Sequence, residues 1–190
     1  MSRTRLPRRT FNEPGHAHEL TFSTYRRLRF LERDRVRGWF ADALALAREK
    51  HDVAVWTYVL MPEHVHLLVH PRRRSYSIEA FRHDLKAPVG RRAFAHLEEH
   101  APHWLPQLTR RRGKKTERLF WQPGAGYDRN VTEPKTLAAM IDYIHANPVR
   151  RGLCERPEDW MWSGARCFAG QDAGPIPLDP IPPEWGVTGP

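Results

Sequence analysis

Strand-like and helix-like segments alternate along the first half of this chain, and their order leaves few folds open. Residues 18–23 alternate polar and apolar side chains, as a half-buried strand does. Residues 34–50 then carry apolar side chains at helical spacing. Two further runs, 53–60 and 65–69, are rich in Val and Leu and are separated by a turn sequence around Pro62, which favours two neighbouring strands.

After residue 69, the sequence predicts a second helix followed by a fourth strand. A helix is predicted over residues 77–92, with Pro88 ending or kinking it. Residues 96–118 mix histidines, prolines and basic residues, and they are predicted to form a long basic loop insert. Residues 119–122 follow as the fourth strand, and a turn then leads to a helix that begins near Pro134.

The order strand, helix, strand, strand, helix, strand predicts an α+β fold. We expect a ferredoxin-like βαββαβ sandwich with an appended C-terminal helix that carries Tyr143. The domain is placed at residues 18–168. A basic N-terminal arm over residues 1–17 either lies along phosphates or is frayed. A proline-rich C-terminal tail over residues 169–190 forms an irregular wrap or is partly disordered.

The charge of the chain favours a polyanionic partner. Lys and Arg number 31 against 22 for Asp and Glu, a formal net charge of +9, so nucleic acid is the leading candidate. No apolar run reaches the roughly 20 residues that cross a bilayer, and no secretory signal is visible, so a cytoplasmic protein with no membrane partner is expected. Cys154 and Cys167 are interpreted as reduced thiols.

Two histidines in an apolar run form the clearest chemical motif. His64 and His66 stand at positions i and i+2 of a predicted strand, so both imidazoles point to one face and can reach one metal ion. Polar residues on an open sheet face are the alternative. His16 and His18 have the same spacing, but they lie at a loop boundary without an apolar frame, and we assign them no metal role.

The helix after Pro134 is the best source of a further ligand. Its buried stripe is formed by apolar residues at helical spacing: Leu137, Met140, Ile141 and Ile144. Tyr143 and Asn147 are four residues apart on one flank of that stripe, so the phenol can reach a cleft beside the sheet. A plain boundary tyrosine is the alternative. His145 points elsewhere on the helix and is interpreted as a surface group.

Three ordered strings of the sequence, YVLMPEHVHLLVHP, FWQPGAGYDRN and DYIHANPVRRGLCERPEDWMWS, resemble the REP-associated tyrosine transposases. This family is related to the single-tyrosine HUH transposases of insertion-sequence-200 type. The resemblance covers residues 18–168, and it implies that this region is an HUH transposase and nuclease domain. By position, His64 and His66 match the HUH metal ligands, Tyr143 matches the nucleophile, and Asn147 matches the third ligand.

The resemblance also implies an activity and its partners. The expected protein is an endonuclease and strand transferase that is specific for single strands, cleaves hairpin-flanked DNA through a phosphotyrosine intermediate and uses Mg²⁺ or Mn²⁺, as a monomer or homodimer. A hairpin-binding regulator without cleavage activity, and a phosphodiesterase that uses metal-bound water, are the alternatives. Basic residues outside the motifs are expected to contact DNA phosphates: Arg26, Arg27, Arg72, Arg73, Arg74, Arg110, Arg111, Arg112, Lys114 and Lys115.

Overall fold

The computed structural model describes residues 12–124, 126–187 and 189. Most of the N-terminal arm predicted over residues 1–17 lies outside the described residues. The described remainder of that arm rests against the fold, because the side-chain oxygen of Asn12 accepts a hydrogen bond of 3.2 Å from the backbone nitrogen of Ile78.

Four antiparallel strands form the main sheet. They are β1 (Ala17–Ser23), β2 (Val53–Leu60), β3 (His64–Pro71) and β6 (Tyr127–Val131), in the spatial order β2-β3-β1-β6. A two-stranded hairpin of β4 (Thr109–Arg112) and β5 (Lys115–Arg118) stands apart from it. With a helix after β1 and another after β3, the main sheet has ferredoxin-like topology, and the predicted fold class is confirmed.

The two faces of the sheet carry separate apolar cores. Helices α1 (Asp34–His51) and α2 (Ile78–His100) cover one face, where side chains such as Leu20 and Phe40 are buried. Helix α3 (Pro134–His145) covers the other face through Leu137 and Ile144. Two short helices follow, α4 (Asn147–Arg150) and α5 (Ala165–Phe168). Single turns of 3₁₀ helix occur at Tyr25–Arg27, Phe30–Glu32, Pro102–Trp104, Pro157–Asp159 and Pro183–Trp185.

The fourth strand lies later in the chain than the sequence predicts. Residues 119–122 make only an isolated bridge to the sheet, between Trp121 and Thr24, and the rings of Phe120 and Trp121 are buried in the core beneath α2. The strand itself is β6, which has the polar sequence Tyr-Asp-Arg-Asn-Val and pairs only with β1 among the described residues. An edge strand needs few apolar side chains, so its pattern is weak.

Helix α2 is also longer than predicted, and the predicted basic loop is largely ordered. Pro88 lies inside α2, which continues to His100. Buried side chains continue past Pro88, at Val89, Ala93 and Leu97, and we infer that their packing outweighs the cost of the proline. Residues 96–118 therefore contain the end of α2, a turn and the β4–β5 hairpin. No helix in the described part of the chain is long and apolar enough to cross a membrane.

The proline-rich tail forms an irregular wrap along the sheet, one of its two predicted states. The backbone nitrogen of Asp179 donates to the oxygen of Val55 on β2 (2.8 Å), and its carboxylate accepts from the nitrogen of Val55 (2.7 Å). Trp185 packs edge to face on Trp56, with ring centroids 5.2 Å apart. Chain residues around Ser163 also pair with β2, so the outer edge of this strand is covered.

A glycine before β6 is expected to be essential for the strand's position. Gly126 has φ +71°, and a Cβ atom there would lie 2.4 Å from the backbone oxygen of Thr21. We expect Gly126→Ala to lower the free energy of unfolding by about 2–4 kcal/mol. Gly113 is the control, because its φ is +61° but a Cβ there meets nothing within 4 Å. In urea unfolding, Gly113→Ala should cost only about 1 kcal/mol, and equal losses in the two variants would contradict the steric argument.

Candidate functional site

The two histidines of β3 present adjacent imidazoles on the face of the sheet that α3 covers. The ring centroids of His64 and His66 are 5.0 Å apart, and the rings are nearly perpendicular. Both residues are buried. Across the sheet, His66 lies opposite Thr21 of β1, and Thr21 lies opposite Tyr127 of β6. The two side chains thus share one face of β3, as their spacing predicts, and they lie at the start of this interior strand.

Each imidazole is held by a buried carboxylate through the same ring nitrogen. The Nδ1 atom of His64 lies 3.1 Å from Oε1 of Glu63, and Nδ1 of His66 lies 3.0 Å from Oε1 of Glu19. The hydroxyl of Thr21 also lies 2.8 Å from Nδ1 of His66. Because the Nδ1 atoms face carboxylates, the Nε2 atoms are the ones left to bind a ligand, which is the usual arrangement of histidines that bind metals.

Two arginines neutralise the carboxylate behind His64. Oε1 of Glu63 accepts hydrogen bonds from Arg27 (3.1 Å) and Arg151 (3.0 Å). Burial opposes the ionisation of Glu63, but its hydrogen bonds to Arg27 and Arg151 and the charge of Arg151 hold its pKa below its usual value. Burial, together with the neighbouring His66, lowers the pKa of His64 to about 4. At neutral pH, the ring of His64 is therefore uncharged, as metal binding requires.

The phenol of Tyr143 stands beside this pair. Tyr143 lies in the last turns of α3, and its side chain is 44% exposed. Its ring meets the ring of His66 edge to face, with centroids 5.6 Å apart and an interplanar angle of 88°. The guanidinium of Arg150 lies 5.4 Å from the centre of the phenol ring. The structure thus brings together the imidazoles and the phenol that the sequence analysis selected.

Asn147 begins the next helical segment and is 8% exposed. Its amide nitrogen donates to the backbone oxygen of Tyr143 (2.8 Å), so its side-chain oxygen is the atom left to bind a cation. Arg151, one turn later, reaches Glu63, and this contact ties α4 to the imidazole pair.

The donor set fits a divalent cation only in part. No group of three or more His, Cys, Asp or Glu side chains in the described part of the chain has the arrangement of a metal site. Two imidazoles and one amide oxygen are neutral donors of the kind that Mn²⁺ and Mg²⁺ accept. The remaining coordination positions would have to be filled by water or by phosphate oxygens of a substrate, as in a site that acts on its ligand.

No family model matches the chain. A curated protein of Haemophilus influenzae that is named a REP-associated tyrosine transposase is 26% identical over 130 residues, which are 65% of this chain and 65% of that protein. The chain resembles the REP-associated tyrosine transposases. The resemblance stated from the three sequence strings is thereby confirmed.

A solved structure supports the same relationship at the level of the fold. A REP-associated tyrosine transposase bound to a REP hairpin superposes with a TM-score of 0.68 at 17% identity, over 87% of this chain and 86% of that one. A transposase structure from Deinococcus radiodurans has a TM-score of 0.43 at 24% identity, over 76% of this chain and 95% of that one. The match to the curated REP-associated tyrosine transposase spans about two thirds of its length.

The two other histidines that the sequence singled out are His145 and His18. His145 was predicted to be a surface group, and this is wrong: it is buried, its Nε2 lies 2.7 Å from the hydroxyl of Thr57, and burial lowers its pKa to about 4. Helix α3 packs on the sheet along a wider face than its apolar stripe indicates. His18 contacts neither His64 nor His66 and instead bonds to Asp128 (2.9 Å) and Tyr76 (2.8 Å).

The contact between His145 and Thr57 gives a test of this packing. Thr57→Val leaves the buried ring nitrogen without its partner and should lower the free energy of unfolding by about 1–3 kcal/mol. Replacing both groups, Thr57→Val with His145→Leu, removes the unpaired nitrogen and should recover most of that loss. Chemical denaturation of the three proteins measures the difference, and a double variant no more stable than Thr57→Val would refute the explanation.

Several basic residues predicted to contact DNA are engaged within the protein. Arg27 bonds to Glu63, Arg72 bonds to Asp179 (2.8 Å) and Arg110 bonds to Glu117 (2.7 Å). The remaining members of the predicted set are exposed: Arg26, Arg73, Arg74, Arg111, Arg112, Lys114 and Lys115. Of these, Arg73 also lies 3.9 Å from Asp52. Beside Tyr143 lies an open groove between α3 and strands β1 and β6, and none of these basic residues belongs to its lining.

The groups that hold the imidazoles could not be recognised from the spacing of residues along the chain. Glu19 and Thr21 are two residues apart on β1, so their side chains share one face of the sheet. Only the pairing of β1 with β3 brings them to His66. Glu63 directly precedes His64, yet it was treated as part of a turn. A carboxylate within an apolar strand, or next to a candidate ligand, is the signal that would have found them.

Proposed function

We propose that this protein is a DNA endonuclease and strand transferase that acts on single strands next to hairpins, through a covalent 5′-phosphotyrosine at Tyr143. One observation carries the proposal: the exposed phenol stands edge to face on His66, whose partner ring and supporting carboxylates have the arrangement of metal-binding histidines. The hairpin preference rests on the relative of similar fold that was solved with a REP hairpin.

His64, His66 and the amide oxygen of Asn147 would hold Mg²⁺ or Mn²⁺. When bound, the ion would polarise a non-bridging oxygen of the scissile phosphate and offset the charge that develops there. Glu63 and Glu19 would keep the two rings oriented and their Nε2 lone pairs available.

Tyr143 would carry out the covalent step. Its phenol oxygen forms a bond to phosphorus, the bond from phosphorus to the 3′ oxygen breaks, and the phenol proton leaves to water. The 3′ oxygen of the departing strand takes a proton from water and ends as a 3′ hydroxyl. Arg150, whose guanidinium lies 5.4 Å from the centre of the phenol ring, would place a positive charge beside the reacting phosphate. Because the phosphotyrosine ester conserves the phosphodiester, a 3′ hydroxyl can reverse the reaction without ATP.

A covalent-adduct assay separates this function from its alternatives. The protein is incubated with Mn²⁺ or Mg²⁺ and a labelled pool of hairpin DNA with randomised single-stranded flanks, then denatured and run on a gel. We expect labelled protein and a released strand with a 3′ hydroxyl. A shift on native gels with no adduct would identify a hairpin-binding regulator instead. Cut DNA with two free ends would identify a phosphodiesterase that uses water.

A further inference from the structure

An open groove beside Tyr143 leads away from the imidazole pair toward β6. Its lining includes Thr21, His66, Tyr127, Arg129, Lys135 and Tyr143. Three of these side chains, from Tyr127, Arg129 and Lys135, play no part in the chemistry proposed above.

Strand register places Tyr127 in line with the reactive groups. His66, Thr21 and Tyr127 lie directly opposite one another on three adjacent strands, so their side chains share one face of the sheet. Adjacent strands are about 4.8 Å apart, which puts Tyr127 about 10 Å from His66. Its ring is 40% exposed, which is unusual for a large aromatic residue on a sheet face.

The charge of the groove suits a nucleic acid backbone. Arg129 and Lys135 are both exposed, on β6 and on the first turn of α3. Glu19 is the carboxylate among the lining residues, but it is 2% exposed and its Oε1 is engaged by Thr21 and His66. The groove therefore carries two exposed cations and an aromatic side chain that is 40% exposed.

We propose that this groove binds the single-stranded DNA that flanks the scissile phosphate, with Tyr127 stacked on a base and Arg129 and Lys135 contacting phosphates. Aromatic side chains between basic residues bind single strands with little sequence preference, because every base has a face to stack. The inference rests on the proposed function for the direction of the strand. Its test is made in protein that cannot cleave.

The measurement is the affinity of fluorescein-labelled oligothymidylate for Tyr143→Phe protein, by fluorescence anisotropy. Adding Tyr127→Ala should weaken binding about tenfold, and Tyr127→Phe should restore it. Adding Arg129→Ala should weaken binding and reduce the dependence of log affinity on log salt by about one. Met161→Ala is the matched control, because Met161 is another exposed apolar side chain (52%) and should not affect binding.

Photo-cross-linking tests the same contact without substitution at Tyr127. The Tyr143→Phe protein is irradiated with a strand that contains 5-iodouracil, and the cross-linked peptide should contain Tyr127. Unchanged affinity in Tyr127→Ala, or cross-links only outside the groove, would overturn the inference. Adduct formation by the wild-type protein tests the proposed function separately. If Tyr127→Ala weakens binding but the wild-type protein forms no adduct, the groove is supported and only the proposed cleavage is refuted.

Discussion

Tyr143→Phe should reduce covalent adduct formation to below about a thousandth of the wild-type level, because the ring without its hydroxyl has no oxygen to attack phosphorus. Phenylalanine keeps the edge-to-face contact with His66 and the stacking of Arg150. Binding of hairpin DNA should therefore change by less than about twofold. The measurement compares a denaturing gel for the adduct with a native gel for binding.

Tyr25→Phe is the matched control for this substitution. Tyr25 belongs to a separate apolar cluster with Leu97 and Leu108, so losing its hydroxyl should leave the adduct intact. Adduct at the wild-type level in Tyr143→Phe would disprove the role of the phenol. Loss of both adduct and binding would show instead that Tyr143 contributes to DNA affinity.

His66→Ala and His64→Ala should each lower the cleavage rate by about a hundredfold to a thousandfold, because each removes one proposed cation ligand. The apparent affinity for Mn²⁺, measured by titration calorimetry without DNA, should fall in the same variants. His100→Ala is the control, because His100 is exposed at the end of α2.

Glu19→Gln refines this test. An amide keeps the size of the side chain but weakens the hold on Nδ1 of His66, so Mn²⁺ affinity should fall by about tenfold to a hundredfold. Full activity of both histidine variants across Mg²⁺ and Mn²⁺ titrations would refute the proposed metal site. Unaltered Mn²⁺ binding in Glu19→Gln would refute only the proposed role of the Glu19 carboxylate.

The sequence was sufficient for the fold class and the first three strands, and it pointed to the imidazoles and the phenol that lie together in the candidate site. Alternation of polar and apolar residues identified β1, runs rich in Val and Leu identified β2 and β3, and the i, i+2 spacing of His64 and His66 required only that β3 be a strand. Helical spacing predicted the flank of α3 that carries Tyr143. These are local patterns, which a single sequence records directly.

What the sequence missed depends on contacts between distant segments. Strand β6 and the β4–β5 hairpin are polar because each is exposed on at least one side, so their patterns resemble loops. The burial of His145 follows from how α3 sits on β2, and the position of Glu19 follows from the pairing of β1 with β3. The register of a sheet is set by tertiary packing, and residue spacing within one strand does not encode it.

The covered edge of β2 limits how copies of this protein can associate. A sheet with two open edges can add copies on both sides and grow into an endless ribbon. Here the chain around Ser163 and Asp179 blocks the β2 side of the sheet. A sheet that is blocked on one side cannot add copies on both sides, so edge-to-edge association of this protein cannot extend into a ribbon.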